Sequence, residues 1–328
     1  MKSTENNVVA EIGLLVYPDC QLAAVYGLTD MFRIAADWAV NISGENRQRA
    51  IRVSHWQIDP QANTMACVWD SHPDTPHRLS YVIAPPSLVV PAKMAPMKVP
   101  ADWMIGLYDQ GVTLCSVCAG AFVLAETGLI DNRRATTHWA FAQTLSERFP
   151  AIEVAAENMV LDDGDIITAG GILAWTDLGL TLIEKMLGTG TMLATSRFLL
   201  IDPPRREQST YSAFIPHFEH GDSQILRVQH HIHAHFAEPL GIETLCALAS
   251  MTPRTFLRHF QKATGMRPTD YLQQVRIMKA RDALELSNRS VDQIAWEIGY
   301  TDPSALRKIF RKLTGVTPGQ YRQRFGTQ

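Results

Sequence analysis

A cysteine between a predicted strand and a predicted helix is the residue of this sequence best placed for covalent chemistry. Cys118 lies in the run Ser-Val-Cys-Ala-Gly at 116–120, directly after an apolar segment and at the start of a helix predicted over 119–128. A thiol at a helix N-terminus has a lowered pKa and yields a nucleophilic thiolate. His138 is a candidate partner for it. The same spacing also fits a small residue that fills a tight turn, with Cys115 buried on the strand, and both interpretations stay open.

Six histidines between 217 and 235 form a second group with chemical potential. His231 and His235 are spaced i,i+4 on one helical face, which is a spacing that can chelate a metal ion. No cysteine or acidic residue accompanies them at a recognisable ligand spacing, so the segment is predicted to be a solvated or partly packed helix. We therefore expect no metal site, and we expect no cofactor. The six are His217, His220, His230, His231, His233 and His235.

The elements that must position Cys118 alternate between strand and helix patterns. Strands are predicted over 8–17, 51–58, 81–84 and 112–117, and helices over about 21–40, 102–110, 119–128 and 176–187, with a further helix ending at 149. Residues 154–169 are predicted to form a hairpin with a turn at Asp162-Asp-Gly-Asp165. This alternation predicts a doubly wound α/β domain of the flavodoxin-like kind, whose sites lie beyond the carboxyl ends of its strands.

Composition separates this domain from the rest of the chain. The 328 residues are 46% hydrophobic, which is enough for two cores. From Asp222 onward the formal charge is +6, and the remainder carries −9. A basic segment of this kind is expected of a nucleic-acid-binding module. Residues 201–222 contain Pro203-Pro204 and Pro216 without clear periodicity and are predicted to be a linker, between a domain at 1–200 and another at 223–328.

The cellular location is predicted from what the sequence lacks. No apolar run approaches the roughly 20 residues that span a bilayer, and the N-terminus has no signal-peptide pattern. Five cysteines, an odd number without dense spacing, indicate free thiols in a reducing compartment. We therefore expect a soluble, cytoplasmic protein that has no membrane partner.

The segment 241–325 reads as one helical unit written twice. Six pairs recur at a shift of 50 residues, whereas Ile242 and Leu245 recur as Val291 and Ile294 at a shift of 49. In each copy a short helix, a turn and a second helix follow one another, and a long helix at 268–286 joins the copies. The pairs are Phe260/Phe310, Lys262/Lys312, Thr264/Thr314, Gly265/Gly315, Pro268/Pro318 and Tyr271/Tyr321.

Helix-turn-helix geometry gives the second helix of each copy the role of reading bases in the major groove. In the first copy Phe256, Leu257 and Phe260 are predicted to pack inward. Two such helices on one rigid rod would enter successive major grooves about 34 Å apart, so a single chain could read an asymmetric site. The outward base-reading candidates are Arg254, Thr255, Arg258, Ser304, Arg307 and Lys308, and the phosphate-binding candidates are Lys262, Arg311 and Lys312.

The repeated segment resembles the DNA-binding domain of AraC/XylS-type transcription regulators over about 100 residues. One departure is Leu306, where that family often has Phe. The resemblance implies an all-α domain with tandem helix-turn-helix units, double-stranded promoter DNA as a partner, and contact with RNA polymerase. It rests on Arg276, Ala280, Leu284, Ile294-Ala295, Gly299-Tyr300, Asp302-Pro303-Ser304, Phe310, Gly315, Thr317-Pro318 and Tyr321-Arg322.

The first domain resembles the PfpI peptidase and Parkinsonism-associated deglycase superfamily, which has a glutamine-amidotransferase-like fold. The resemblance rests on Cys118-Ala-Gly120, Thr136-Thr-His138 and Thr168-Ala-Gly-Gly171. Enzymes of that superfamily place a glutamate from the end of the first strand beside the cysteine, and its peptidases carry His after Cys. Here Asp19 and Ala119 stand near those positions. The resemblance implies a ligand pocket at Asp19, Cys118, Ala119, Gly120 and His138, with Cys118 as a vestigial nucleophile.

The combination of both domains resembles the GlxA family of regulators. It implies a transcription regulator, an activator by expectation, whose first domain binds a small and by analogy nitrogenous metabolite and also forms a homodimer. The alternative is a cysteine-dependent hydrolase or deglycase with an accessory DNA-binding module.

Overall fold

The computed structural model describes residues 7–43, 49–204 and 207–327. The chain divides into two compact units, 1–208 and 209–328, and the division falls inside the predicted 201–222 linker. Arg205 and Arg206 of that linker, and the N-terminal residues 1–6, lie outside the described residues. Within the described ranges, none of the helices has the length and apolar character needed to cross a membrane.

A seven-stranded sheet organises the first unit. Its strands follow the order β3-β2-β1-β4-β5-β9-β8, with parallel pairing from β2 to β9 and an antiparallel strand at each edge. β6 and β7 form a separate parallel pair. The strands are β1 (Asn7–Val16), β2 (Arg49–Asp59), β3 (Thr64–Asp70), β4 (Tyr81–Ala84), β5 (Thr113–Val117), β6 (Arg134–Ala135), β7 (Glu153–Val154), β8 (Val160–Asp162) and β9 (Ile166–Ala169).

This topology confirms the predicted doubly wound α/β fold. The continuous apolar runs of β1, β4 and β5 are buried because helices cover both faces of the parallel sheet. The predicted hairpin is also present, with Val160 opposite Ala169 and the Asp162 carboxylate accepting a hydrogen bond from the Gly164 amide at 3.0 Å. β3 is an element that the sequence analysis does not predict.

Five α-helices accompany the sheet in the described part of the first unit. α2 begins four residues before its predicted start, and α3 ends at Ala125 rather than at 128. α5 passes its predicted end at 187, although Gly188, with φ of 83°, breaks the helical backbone there. The helices are α1 (Leu22–Ser43), α2 (Lys98–Tyr108), α3 (Gly120–Ala125), α4 (Ala142–Arg148) and α5 (Trp175–Leu199).

The described part of the second unit is all helical and contains two small cores. Phe256 and Phe260 pack with Tyr271 in the first core, and Leu306 and Phe310 pack in the second. α9 contributes residues to both cores, so one long helix joins two helix-turn-helix units, as predicted. The helices are α6 (Ser223–Ala234), α7 (Ile242–Ala249), α8 (Pro253–Thr264), α9 (Pro268–Leu286), α10 (Val291–Glu297), α11 (Pro303–Thr314) and α12 (Pro318–Phe325).

Candidate nucleic-acid interface and ligand site

The first candidate reading helix is α8, and local sequence sets its ends. Thr252 has an extended backbone and precedes Pro253, whose fixed φ suits the first helical position. Gly265 ends the helix in the left-handed conformation, with φ of 72°. Phe256 and Phe260, one turn apart, are fully buried in the first core. The opposite face of α8 is therefore left to solvent.

Three predicted DNA-contacting cations lie on that open face. Arg254, Arg258 and Lys262 are exposed, and none of the three forms an ion pair with any part of the chain that the structure describes. Thr255 is only partly exposed, and its hydroxyl oxygen accepts a hydrogen bond from the Thr252 hydroxyl at 3.1 Å. The Thr255 hydroxyl keeps its own donor and a second acceptor lone pair for a further partner.

Leu257 does not pack inward, so its predicted place in the core is wrong. Its side chain is 42% exposed. The physical reason is that successive residues lie about 100° apart around a helix, which carries Leu257 to the edge of the face that Phe256 buries. At the shift of 50 residues its counterpart is Arg307, which is also exposed. An apolar side chain and a cation thus occupy equivalent surface positions in the two units.

The second candidate reading helix, α11, repeats this design with a firmer start. The Asp302 carboxylate caps it by accepting a hydrogen bond from the Ser304 amide at 2.8 Å. Gly315 ends it with φ of 76°. Leu306, which stands where the resembled family often has Phe, is 1% exposed and packs with Phe310 in the second core. The departure at Leu306 therefore changes the core and leaves the open face untouched.

The open face of α11 carries the remaining predicted cations. Ser304, Arg307 and Lys308 are exposed in its first half, and Arg311 and Lys312 are exposed in its last turn. Arg307 donates a hydrogen bond to the Asp292 carboxylate of α10 at 2.5 Å, a contact that sequence reasoning did not anticipate.

The two open faces form matched surfaces, which we call the first and second stripes. Each stripe has five members. Counted from the first member, the others follow three, four, seven and eight residues later, a spacing that keeps all five on one side of an α-helix. Together the two stripes carry seven cations and no carboxylate. The first stripe is Arg254, Leu257, Arg258, Gln261 and Lys262, and the second is Ser304, Arg307, Lys308, Arg311 and Lys312.

The candidate ligand site of the first unit is built around the turn at Cys118. Cys118 has a left-handed backbone, with φ of 55°, and its amide donates to the Ala169 carbonyl of β9 at 2.8 Å. The Thr137 hydroxyl donates to the Cys118 carbonyl at 2.7 Å. Gly120 must be glycine, because a Cβ there would lie 2.2 Å from the Ala84 carbonyl oxygen. The turn is therefore fixed by the ends of β4 and β9 and by Thr137.

The predicted lowering of the Cys118 pKa is wrong. The side chain is 1% exposed, and this burial raises the pKa of the thiol to about 12. The Ala119 amide acts in the opposite direction, but its effect is the smaller one. α3 has only six residues, so its N-terminus offers little compensation. Burial likewise raises the pKa of Cys115 well above its usual range.

His138 and Asp19 are not arranged as catalytic partners of the thiol. The His138 Nδ1 accepts a hydrogen bond from the Ala140 amide at 3.1 Å, and burial lowers the pKa of His138. Asp19 is exposed, and its backbone carbonyl accepts from the Leu88 amide at 2.8 Å. Over the described ranges, no side chain forms a hydrogen bond with the Cys118 thiol. The structure shows an elbow without an assembled acid–base relay.

Gln208 is a buried residue of this region that the sequence does not reveal. It is 1% exposed, and its side-chain amide donates to the Thr137 carbonyl at 2.8 Å and to the Asn158 carbonyl at 2.9 Å. Its Oε1 accepts from the Trp139 amide at 3.1 Å. Gly170 leaves the space for it, since a Cβ there would lie 2.0 Å from the Gln208 Nε2. These hydrogen-bond partners lie 50 or more positions earlier in the chain, and no local pattern signals them.

Two cavities of the first unit lie away from the elbow. One, of about 420 Å³, is lined by residues of α1, β2 and β3 that include Asp30, Arg33 and Trp69. The other, of about 1080 Å³, lies where β1, β4 and β5 begin and includes Arg52 and Arg78. Neither is lined by Asp19, Cys118, Ala119, Gly120 or His138. The assignment of the ligand site to these five residues stays a prediction.

Three of the six histidines, His230, His231 and His233, lie on α6, where the predicted solvated or partly packed helix is confirmed: His230 is exposed and the other two are partly buried. The rings of His231 and His235 are stacked 4.2 Å apart, and His235 Nδ1 contacts the His231 carbonyl at 3.1 Å. His233 Nε2 lies 3.0 Å from the Tyr271 hydroxyl, and His220 Nε2 lies 2.8 Å from Gln229 Oε1. These ring nitrogens therefore have partners within the protein.

Comparison with known proteins accounts for both units. Residues 245–324 match the family model of a helix-turn-helix domain, and residues 89–185 match that of the DJ-1/PfpI family. The first match contains α8 and α11 with both stripes. The second contains Cys118 and His138 but begins after Asp19.

Individual relatives are similar over longer stretches. The chain is 32% identical to the HTH-type transcriptional regulator GlxA of Rhizobium meliloti (strain 1021) over 240 residues, which cover 70% of this chain and 73% of that protein. It is 29% identical to the HTH-type transcriptional regulator CdhR of Pseudomonas aeruginosa, over 67% of this chain and 66% of that one. It is also 27% identical to an isonitrile hydratase of Pseudomonas putida, over 55% of this chain and 74% of the enzyme.

The regulators match across both units, whereas the enzyme matches a shorter part of the chain. The chain has a DJ-1/PfpI domain and a helix-turn-helix domain in one polypeptide, and its similarity to GlxA extends over both. The chain therefore belongs to the GlxA-type family of transcriptional regulators, in which a DJ-1/PfpI domain is followed by an AraC-type DNA-binding domain.

Proposed function

We propose that this regulator activates transcription by docking its two stripes in successive major grooves of promoter DNA when its first unit binds a small effector. The observation that carries the proposal is the shared design of the two helices: each ends at a left-handed glycine, is backed by its own core, and exposes a row of cations on its open face. Cations recur at two equivalent positions, Arg258/Lys308 and Lys262/Lys312. A repeated cationic face of this kind is the surface expected to bind a polyanion.

The chemistry of the stripes supports a division between reading bases and holding phosphates. Arginine can donate two hydrogen bonds to guanine O6 and N7, and Arg254, Arg258 and Arg307 stand in the first half of their helices. The other proposed base contacts are Thr255, Ser304 and Lys308. Lys262, Arg311 and Lys312 stand in the last turn, where contact with phosphates adds affinity without sequence preference.

Two further residues refine the proposed reading. Leu257 presents an apolar side chain within the first stripe, and such a group can contact the methyl group of thymine. Arg307 is held by Asp292 in the free protein. To bind a base, the Arg307 guanidinium group must break its hydrogen bond with the Asp292 carboxylate. Until then, Asp292 restricts the position of the guanidinium group.

The first unit is proposed to be the sensor. The Cys118 elbow lies beyond the carboxyl ends of parallel strands, which is where ligands of doubly wound folds bind. The thiol is buried, and its pKa is raised to about 12, which argues against the hydrolase or deglycase alternative. We propose that the effector is a small nitrogenous metabolite and that the first unit also forms a homodimer. The regulator is proposed to contact RNA polymerase and to act in the cytoplasm.

The test of DNA binding uses the full-length protein and sequencing of the genomic fragments that it retains. The recovered site is then titrated by fluorescence anisotropy at several salt concentrations. Arg258→Ala should lower affinity for that site by roughly 1–3 kcal/mol and relax its sequence preference. Arg227→Ala removes an exposed cation of α6 that belongs to neither stripe, and it should bind like the wild type. Equal losses in both variants would contradict the assignment of the stripe.

The test of sensing is a thermal-shift screen of small metabolites. A ligand that binds the folded protein raises its stability by about 2.7 kcal/mol at a hundredfold excess over its Kd. A positive compound should also change the anisotropy titration. The enzyme alternative predicts instead that a screened compound is consumed and that Cys118→Ala abolishes its turnover.

A further inference from the structure

We propose that Cys67, Asp70 and His77 form a binding site for a thiophilic divalent cation of the Zn²⁺ class, separate from the elbow and from the stripes. The three residues lie on β3 and the segment that follows it, at one edge of the sheet. The proposal concerns the first unit alone and does not depend on how the protein reads DNA.

The geometry of the donor atoms supports such a site. One ligand atom from each residue can be chosen so that all three lie within 4.8 Å of one another. Asp70 Oδ2 and His77 Nε2 are 3.9 Å apart. Zinc bonds of about 2.0–2.3 Å in a tetrahedral arrangement need donor atoms slightly closer than this, so side-chain rotations of modest size suffice.

The orientation of His77 is already that of a metal ligand. Its Nδ1 lies 2.6 Å from Glu11 Oε1, and the Glu11 side chain is 3% exposed. A carboxylate that holds one ring nitrogen fixes the tautomer and leaves the other nitrogen as an acceptor, which is the arrangement behind most zinc-binding histidines. Glu11 is itself held by the Arg78 amide at 2.7 Å and the Ser54 hydroxyl at 3.1 Å. The other ring nitrogen, Nε2, therefore faces Asp70 of the cluster.

The charges around the cluster accommodate a cation. Arg52 is nearly buried and donates to both Asp70 oxygens, with Nε 3.0 Å from Oδ1. Its single positive charge faces two carboxylates, Asp70 and Glu11. Because Arg52 also donates to the Thr75 and Pro76 carbonyls, at 2.7 and 2.9 Å, it stays in place if Asp70 Oδ2 turns to a metal.

The donor set selects among metals. Thiolate, imidazole and carboxylate are the ligands of zinc sites, whereas Ca²⁺ and Mg²⁺ take oxygen ligands. A purely structural network of Glu11, Arg52, Asp70 and His77 would account for the ion pairs. It gives no reason for the Cys67 thiol, whose one hydrogen bond among the described residues is to the Trp69 carbonyl at 3.2 Å.

The experiment titrates full-length protein with Co²⁺, a spectroscopic substitute for zinc, and follows the near-ultraviolet charge-transfer band of cobalt thiolate. The wild type should give the band at one ion per chain, and Zn²⁺ should displace it. Cys67→Ser should abolish the band, and His77→Gln should weaken cobalt binding at least tenfold. His72→Gln is the matched control, because the His72 side chain contacts Ser71, and the contact of His72 with the cluster is made by its backbone amide, which donates to Asp70 Oδ1 and is kept in the variant.

The outcomes separate the proposal from a structural network. A wild type without the band, a band that survives in Cys67→Ser, or an equal loss in His72→Gln would overturn the site. Circular dichroism of each variant shows whether it is folded. Because Cys67→Ser replaces one atom of a partly buried side chain and keeps its shape, its spectrum decides the question even if His77→Gln proves unstable.

Discussion

The Cys118 thiol should be almost inert towards alkylation in the folded protein. At pH 8 a thiol with an ordinary pKa of about 8.5 is roughly one quarter thiolate. Burial raises the pKa of Cys118 to about 12, which lowers that fraction to about one part in ten thousand. The thiolate is the reacting species, so the rate should be roughly two-thousandfold below that of an ordinary thiol, before the steric protection of a side chain that is 1% exposed.

The assay is alkylation by iodoacetamide, followed by peptide mass spectrometry that resolves each of the five cysteines. Glutathione in the same tube supplies the rate of an unhindered thiol. Protein unfolded in urea is the control, and there Cys118 should react like the other cysteines. In the folded protein its rate should rise tenfold per pH unit without a plateau up to pH 10. Labelling within tenfold of the glutathione rate at pH 8 would refute the argument and revive the hydrolase alternative.

The same shift has a thermodynamic signature. Because the folded pKa lies above the unfolded one, the contribution of Cys118 to stability is fully present below about pH 8.5 and is lost as pH rises towards 12. At pH 10 the loss should be about 2 kcal/mol. Urea unfolding at several pH values, compared between the wild type and Cys118→Ala, isolates this contribution.

Other variants test the stripes and the buried elbow. Lys312→Ala should weaken binding to all DNA sequences alike and lower the slope of log affinity against log salt by about one. Arg258→Ala should instead weaken binding to the preferred site most. Fluorescence anisotropy on specific and random duplexes distinguishes the two variants. Gln208→Ala should destabilise the first unit by about 2–4 kcal/mol in urea unfolding, because four hydrogen bonds of a buried amide are lost. Gln61→Ala, at an exposed position, is the control and should change the stability little. Gly120→Ala should lower the melting temperature more than any of these, because its Cβ meets the Ala84 carbonyl; a wild-type melting temperature would show that the turn can relax.

Much of the fold could be predicted because its elements follow strong local patterns. The apolar runs of β1, β4 and β5 and the duplicated helix pairs were recognisable in the sequence alone. β3 was not predicted, although residues 65–69 are apolar, and its position at the sheet edge leaves its side chains exposed or only partly buried. The end of α5 was predicted too early. The backbone is non-helical at Gly188, but the helix resumes after it and continues to Leu199.

The candidate sites were less predictable because they depend on burial and distant contacts. Helical periodicity was sufficient to place Arg258 and Arg307 on open faces, but the apolar character of Leu257 suggested the wrong side. For Cys118 the position at a helix start was correct, and the sign of its pKa shift was not, since a sequence does not show how much water reaches a thiol. Gln208 meets partners brought together only by the tertiary fold.

The unlike composition of the two stripes would give the regulator a polarity on DNA if both dock as proposed. The first stripe offers Arg254, Leu257 and Arg258 where the second offers Ser304, Arg307 and Lys308. On the proposed docking, two surfaces this different would not exchange grooves without losing their contacts, so an operator turned end for end would turn the bound protein with it. The orientation of the operator would then decide which side of the protein faces the start of transcription.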